Sequence, residues 1–233
     1  MKPILFRCSS WADLMTDPKT KAQKEAGDLS ETAKSLCIET WMSHKYGIKK
    51  DITNKYLEKG IASEEDAITL LSKVDKTFYV NNKARMSNEF ITGEWDILKD
   101  GHIIDTKCAW DAFSFFKHLR ESEIDKRYYW QLQGYMALTG SKTGEVAYCL
   151  IDTPDHLIEK EITNLWYKLG QIDQESQEWI EAESETRNNL MFSDKIPAEK
   201  RVIRFKIDRN DEDIQKGYER VEQARTWIKN NLN

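Results

Sequence analysis

Apolar positions along the chain alternate between helical and strand spacing. Residues 30–46, SETAKSLCIETWMSHKY, carry apolar residues at helical spacing behind Ser30, a good N-cap, and stop at Gly47, which predicts an amphipathic helix. Residues 61–75 predict a second helix. Ser63 caps it, acids fill its first turn, and Ala67, Ile68, Leu70 and Leu71 form its apolar side. Residues 78–80 and 89–98 read as extended. Asp100-Gly101 is a two-residue hairpin signal, and a strand returns over 102–108. DKRYYWQLQGYMALTG predicts a helix ending at Gly140. Residues 144–152, GEVAYCLID, read as a buried strand, and 155–169 and 171–191 as two helices, the second very acidic. RVIRFKID reads as a late strand or edge segment, and 209–231 as a closing helix. Helices, a meander of three strands, helix, strand and helices together predict a mixed α/β domain with one central sheet flanked by helices.

At 233 residues, with 39% apolar and 11% aromatic residues and no linker, the chain reads as one domain. The N-terminus MKPILFRCSS is too short in apolar residues for a signal peptide, and no run of about 18 apolar residues occurs, which points to a soluble, cytoplasmic protein without a membrane partner. Cys8, Cys37, Cys108 and Cys149 are scattered without a C-x-x-C pair, so neither a zinc knuckle nor an iron–sulfur cluster is expected. The net charge of −5 does not advertise nucleic-acid binding, yet KYGIKKDITNKYLEK is locally basic and DQESQEWIEAESE locally acidic. Both runs read first as solvated helix faces, with a basic groove as the alternative.

The hairpin GEWDILKDGHIIDTK, residues 93–107, changes this picture. With Asp100 and Gly101 at the turn, Lys99 faces His102, Asp96 faces Asp105 and Glu94 faces Lys107. Glu94, Asp96, Asp105 and Lys107 then share one face, and Trp95, Ile97, Ile104 and Thr106 the other. Directly opposed carboxylates destabilise a sheet unless a proton or cation lies between them. Lys107 supplies part of that compensation, and a hard divalent cation such as Mg²⁺ or Mn²⁺ supplies more. A metal beside an ammonium suits phosphodiester hydrolysis. The bland alternative is an exposed hairpin carrying ordinary surface charges.

Asp96, the turn and Asp105-Thr106-Lys107 resemble the signature of the PD-(D/E)xK nuclease superfamily, with Trp95 in place of the usual Pro. WQLQGYMALTG resembles the Q-x-x-x-Y motif of its RecB-like and lambda-exonuclease-like (YqaJ-type) branch, through Gln131 and Tyr135 on one helix face. KGIASEEDAITLL resembles that branch's Gly-x-x-x-Glu helix, and FRCSSWADLM the opening of phage recombination exonucleases. These motifs span about 5–152; residues 153–233 carry none and read as a C-terminal helical elaboration.

The resemblance implies a restriction-endonuclease-like core and a Mg²⁺- or Mn²⁺-dependent DNA exonuclease with two ions. It implies hydrolysis from duplex ends, 5′ to 3′, with a single-strand annealing partner and a ring-shaped homo-oligomer. Glu64, Asp96, Asp105 and the backbone carbonyl of Thr106 are the implied metal ligands, with Glu65 the fallback for Glu64 and Gly60 anchoring a turn before it. Lys107 is implied to contact the scissile phosphate and the attacking water. Gln131 and Tyr135 would orient Lys107 or touch the DNA backbone. Arg7, with Ser9 or Ser10, would hold a terminal 5′-phosphate, and Glu94 would support the site. His44, His102, His118 and His156 lack ligand spacing and read as structural or surface residues. Trp110, Phe113, Phe115 and Phe116 read as core, with base stacking at a duplex end the alternative. The rival readings are an endonuclease or CRISPR-associated-type exonuclease of the same superfamily, and a non-catalytic DNA- or protein-binding relative.

Overall fold

The structure, a computed structural model, describes residues 3–51 and 53–232; Met1, Lys2, Asn233 and Ile52, which falls within the basic stretch, lie outside the described residues. The chain opens with β1 (Phe6–Arg7), a 3-10 turn (Cys8–Ser10) and five helices: α1 (Trp11–Leu14), α2 (Lys21–Glu25), α3 (Glu31–Tyr46), α4 (Lys55–Ala62) and α5 (Glu64–Asp75). Four strands follow: β2 (Met86–Ser87), β3 (Ile91–Gly93), β4 (Ile97–Lys99) and β5 (His102–Cys108). Next come α6 (Ala112–Lys117), a 3-10 turn (His118–Arg120), α7 (Lys126–Thr139) and β6 (Thr143–Cys149). The chain closes with α8 (Asp155–Lys168), α9 (Gln177–Leu190), β7 (Val202–Asp208) and α10 (Asp211–Leu232).

Local signals set several boundaries. The Ser30 hydroxyl accepts from the Ala33 amide, and Gly47 ends α3 at φ +69°. Gly140 ends α7 in the same way at φ +74°. Asp100 and Gly101 both take positive φ, 52° and 76°, as a type I′ hairpin turn requires. Other expectations are corrected. The helix at 61–75 is two helices, with Gly60 inside α4 rather than in a turn, and Ser63 between them makes no side-chain cap. Residues 78–80 join no ladder; the Tyr79 amide bonds instead to the Ser72 hydroxyl. Residues 171–176 form a turn in which Ser176 donates to the Asp173 carbonyl and then caps α9.

The expected single sheet is two. A small sheet has the order β1-β3-β2, and a larger one β4-β5-β6-β7, with β5 and β6 parallel and the other neighbours antiparallel. One stretch of chain feeds both sheets because it bends between β3 and β4. β7 pairs with β6 over its whole length, from Val202 against Cys149 to Asp208 against Thr143. α10 adds Ile214, Val221, Ala224 and Ile228 to the main core. β7 and α10 are therefore part of the sheet and core, whereas α8 and α9 pack in a cluster of their own around Trp110.

The larger sheet is covered on both faces. On one lie Ile103, Val146 and Tyr148, under α7 and the N-terminal segment. On the other lie Ile97, Ile104, Ala147 and Cys149, under the Ala67, Ile68, Leu70 and Leu71 face of α5. Packing at the first face is tight. A Cβ on Gly93 would lie 2.7 Å from Cys8 Sγ and 2.9 Å from Tyr135 Cε1, and one on Gly134 2.9 Å from Cys8 Sγ. The N-terminal 3-10 turn thus wedges between β3 and α7. Among the described residues no helix is long and apolar enough to cross a membrane.

The basic stretch is largely committed to the protein. Lys50 pairs with Glu39 at 2.7 Å and Lys55 with Glu161 at 2.8 Å. Lys59 is fully buried, donating to the Trp110 carbonyl at 3.0 Å and to Thr153 Oγ1 at 2.9 Å. The Trp110 and Phe192 rings stand 5.7 and 5.1 Å from its ammonium. It ties together the segments leaving β5 and β6, close to the ends that carry the candidate site. Burial pushes the ammonium down to about 8, against the opposing pull of Cys108, Asp152 and Asp111.

This depressed value has a definite sign in stability. Between about pH 8 and 10.5 the folded protein has shed a proton that the unfolded chain still holds, so stability rises with pH across that window. Lys59→Met keeps the stem and removes the charge. The difference in unfolding free energy between parent and variant should grow in the parent's favour from pH 7 to 10, by up to about 3 kcal/mol. Urea unfolding at several pH values checks this; parallel curves contradict it.

Candidate active site

The hairpin builds its charged group through a departure from strand geometry. The Ile97–Ile104, Leu98–Ile103 and Lys99–His102 pairs form, but β4 begins at Ile97, so Asp96 lies outside the ladder. At the bend, Asn82 donates twice to the chain that turns there. Its amide donates to the Asp96 carbonyl at 2.7 Å, and its Nδ2 to the Trp95 carbonyl at 3.0 Å. The Asp96 carboxylate then takes the place of a partner strand. Its Oδ2 accepts from both the Thr106 amide and the Thr106 hydroxyl at 2.6 Å. Paired strand residues use N–H and C=O toward the same neighbour, so the Thr106 carbonyl turns to the Asp96 side as well. The bend also alters the face assignment. Trp95 sits in the main core, its ring 6.3 Å from that of Tyr135, while Ile97 packs on the opposite side of the sheet.

Asp105 is 2% exposed and points from β5 toward α7. Gln131 Nε2 donates to its Oδ1 at 3.0 Å, and also to the Tyr135 hydroxyl at 2.8 Å. Lys107, two residues on, forms an ion pair with Asp105 Oδ2. Gln131 therefore orients Asp105 rather than Lys107. Tyr135 is 4% exposed and packed beneath Gly93, which leaves it no surface for a DNA contact. Burial, with Asp105 and Asp96 nearby, raises its phenol well above the ordinary value, so it stays neutral and accepts from Gln131.

Burial, then the neighbouring Asp105, raise the Asp96 carboxyl; Lys107 and the Thr106 bonds oppose them without prevailing. For Lys107, burial alone would lower the ammonium, but Asp105 and Asp96 outweigh it and hold the proton on. The Tyr128 ring, 5.2 Å from Lys107 Nζ, completes the wall around it. Glu94 does not face Lys107; it pairs with Arg85 at 2.9 Å.

Glu64 and Glu65 stand together at the start of α5. Asn81 Nδ2 donates to both, at 2.7 and 2.8 Å, and Lys83 approaches both, at 3.6 and 2.9 Å. Glu64 is the less exposed of the two, and the Ser63 carbonyl just before it accepts from Cys108 Sγ at 3.7 Å, so this end of α5 lies against β5. Among the described residues, no three His, Cys, Asp or Glu side chains stand close enough to hold one ion. Asp96 and Asp105 nonetheless fit a hard divalent cation. They offer carboxylate oxygens in a desolvated setting, two negative charges face one ammonium, and the raised Asp96 carboxyl reports that imbalance.

Arg7 is exposed at the edge of the small sheet, with Ser9 exposed and Ser10 half-buried in the following turn. Cys8, between them, is held against Gly93 and Gly134, so this segment adjoins the helix that carries Gln131. Sequence reasoning missed Asn81 and Asn82, whose signal was only the polar pair in YVNNK, and the bond of Asp96 to Thr106, which depends on the bend. His102 and His118 are engaged elsewhere, and His44 and His156 are exposed. His102 Nδ1 lies 2.7 Å from Thr143 Oγ1, and His118 stacks on Tyr148 at 3.7 Å.

A sheet whose edge hairpin presents an Asp and an Asp-x-Lys strand, with a supporting Gln-x-x-x-Tyr helix and helices on both faces, is a restriction-endonuclease-like nuclease fold. The chain belongs to the lambda-exonuclease-like family of phage-related exonucleases. A phage-related exonuclease from Haemophilus somnus 129PT is 32% identical, matching 97% of this chain and 93% of its own with a TM-score of 0.75. An alkaline exonuclease from Laribacter hongkongensis, 14% identical, shares the fold over 98% of this chain and 89% of its own, at a TM-score of 0.63. Its complex with dAMP gives 0.62 over the same shares at the same identity. No protein-family model and no curated protein matches the chain.

The raised Asp96 carboxyl predicts a stability effect. Its folded value lies above the unfolded one, so this group favours the folded state as pH falls toward the carboxyl range and is a liability at neutral pH. Asp152, Glu145 and Asp213, all lowered, act in the opposite sense. Asp96→Asn isolates the one from the others. Without divalent metal, the variant should melt higher than the parent at pH 7, and the gap should narrow toward pH 4. A variant that melts lower at pH 7 contradicts this.

Proposed function

We propose that the chain is a Mg²⁺- or Mn²⁺-dependent deoxyribonuclease that degrades duplex DNA from its ends, 5′ to 3′, in phage-type recombination or repair. The observation that carries this reading is the group of buried Asp105 with half-buried Asp96 and Lys107, two carboxylates against one ammonium, in a family of phage-related exonucleases. Asp96, Asp105 and the Thr106 carbonyl would hold the metal, and Glu64, held by Asn81 and Lys83 outside ligating distance of the acid pair, would join them only by a shift of its side chain. A bound cation of this kind lowers the pKa of a coordinated water and offsets charge developing on the phosphate.

The chain's own residues supply the rest. Thr106 fixes the Asp96 carboxylate from two directions, and Gln131 fixes that of Asp105. Lys107, held protonated, meets the scissile phosphate as a cation rather than as a base. Arg7, with Ser9 or Ser10, takes the terminal phosphate, an assignment supported by the exposure of Arg7 and the packing of this segment beside α7. A ring of identical subunits and a single-strand annealing partner belong to the same reading.

Cleavage of linear and closed-circular duplex with Mg²⁺ tests it. The linear DNA should disappear while the circle survives, and Lys107→Ala should reduce the rate by about 10²- to 10³-fold. A circle that is cut points to an endonuclease using the same residues. A Lys107→Ala protein as active as the parent removes the catalytic assignment.

A further inference from the structure

The segment WDAFSFFKHL after β5 has a role that the site does not absorb. Its aromatics divide sharply. Trp110 and Phe115 are buried in different clusters, whereas Phe113 is 88% exposed, with Leu119 at 65% and Phe116 at 37%. The exposure belongs to an ordered element. Asp111 and Ser114 form a reciprocal capping box, and the Phe115 amide donates to the Asp111 carbonyl.

This element is joined to the site through packed side chains. A chain of rings connects them: Lys107 Nζ stands 5.2 Å from Tyr128, Tyr128 lies 6.0 Å from Tyr148, and Tyr148 stacks on His118 at 3.7 Å. His118 follows α6 directly. The surrounding charge suits phosphate. Lys117, one helical turn from Phe113, and Arg120 are both exposed and form no ion pair among the described residues. The neighbouring acids are mostly engaged: Asp111 in the cap, Glu121 with His118 and Asp125 with Arg127. Glu123 is the exception.

We propose that Phe113 is a substrate-positioning residue that stacks on an unpaired base of the DNA strand leaving or entering the site, with Lys117 and Arg120 on the flanking phosphates. The inference rests on the nuclease reading above. A flat aromatic beside exposed cations is the arrangement that holds single strands without reading their sequence.

The test measures binding in EDTA, apart from cleavage, with a fluorescent 12-nucleotide oligo-dT and the same oligomer built of abasic sites. Phe113 is at the surface, so Phe113→Ala and Phe113→Trp should fold as the parent does. Phe113→Ala should bind oligo-dT about tenfold more weakly. Phe113→Trp should retain affinity and show quenched indole fluorescence on binding. The abasic oligomer should bind parent and Phe113→Ala alike. Equal affinity of Phe113→Ala and parent for oligo-dT overturns the proposal while leaving the nuclease reading intact. So does a Phe113→Ala protein that binds normally but sediments as a smaller species, which makes this face a contact between copies of the chain. A parent that neither binds nor cuts DNA defeats the nuclease reading itself, and the proposal with it.

Discussion

Two carboxylates, Asp96 and Asp105, share a desolvated site with one ammonium, Lys107, and the surrounding structure is organised around that imbalance. Like charges in such a setting force a proton or a cation to intervene. Lys107 cannot balance both acids, and the other groups at the site do not try to. Thr106 donates to Asp96 and Gln131 to Asp105, which stabilises the charged forms and fixes their directions without neutralising them. The site holds its negative charge in place, as a cation-binding centre requires.

The scaffold keeps this arrangement from relaxing. Asp96 is displaced from its ladder by the bend that Asn82 pins, so the acid substitutes for a strand neighbour. The bend exists because one run of chain serves two sheets, and the small sheet is clamped by Cys8 between Gly93 and Gly134. Tyr135 sits beneath the same glycine and braces Gln131. Lys59 ties the segments that leave β5 and β6 through Trp110 and Thr153. β7 and α10 enclose the sheet from the far end of the sequence.

Much of this was legible in the sequence wherever the cause is local. Asp100-Gly101 fixes the hairpin turn because both positions take positive φ, and Ser30, Gly47 and Gly140 mark helix ends by their own chemistry. The spacing of Asp96, Asp105, Lys107, Gln131 and Tyr135 marked residues that the fold does bring together. What the sequence concealed has long-range causes. The Asp96 bend depends on Asn82 and Thr106, from either side of it in the chain, so strict alternation wrongly placed Trp95 with Ile97 and Glu94 opposite Lys107. Helical periodicity ran past Asp173, whose turn with Ser176 stops it. Gly60 suggested a turn, yet α4 runs through it. The burial of Lys59 follows from packing that no local pattern announces.

The most direct measurement of the central claim is Mn²⁺ binding by the full chain, compared calorimetrically between the parent and Asp105→Asn, a replacement of nearly the same shape. If the acid pair is built for a cation, the parent binds Mn²⁺ and gains thermal stability from it, and Asp105→Asn loses most of both. If the two proteins bind Mn²⁺ equally, or neither binds it, the paired carboxylates do not form a cation-binding centre.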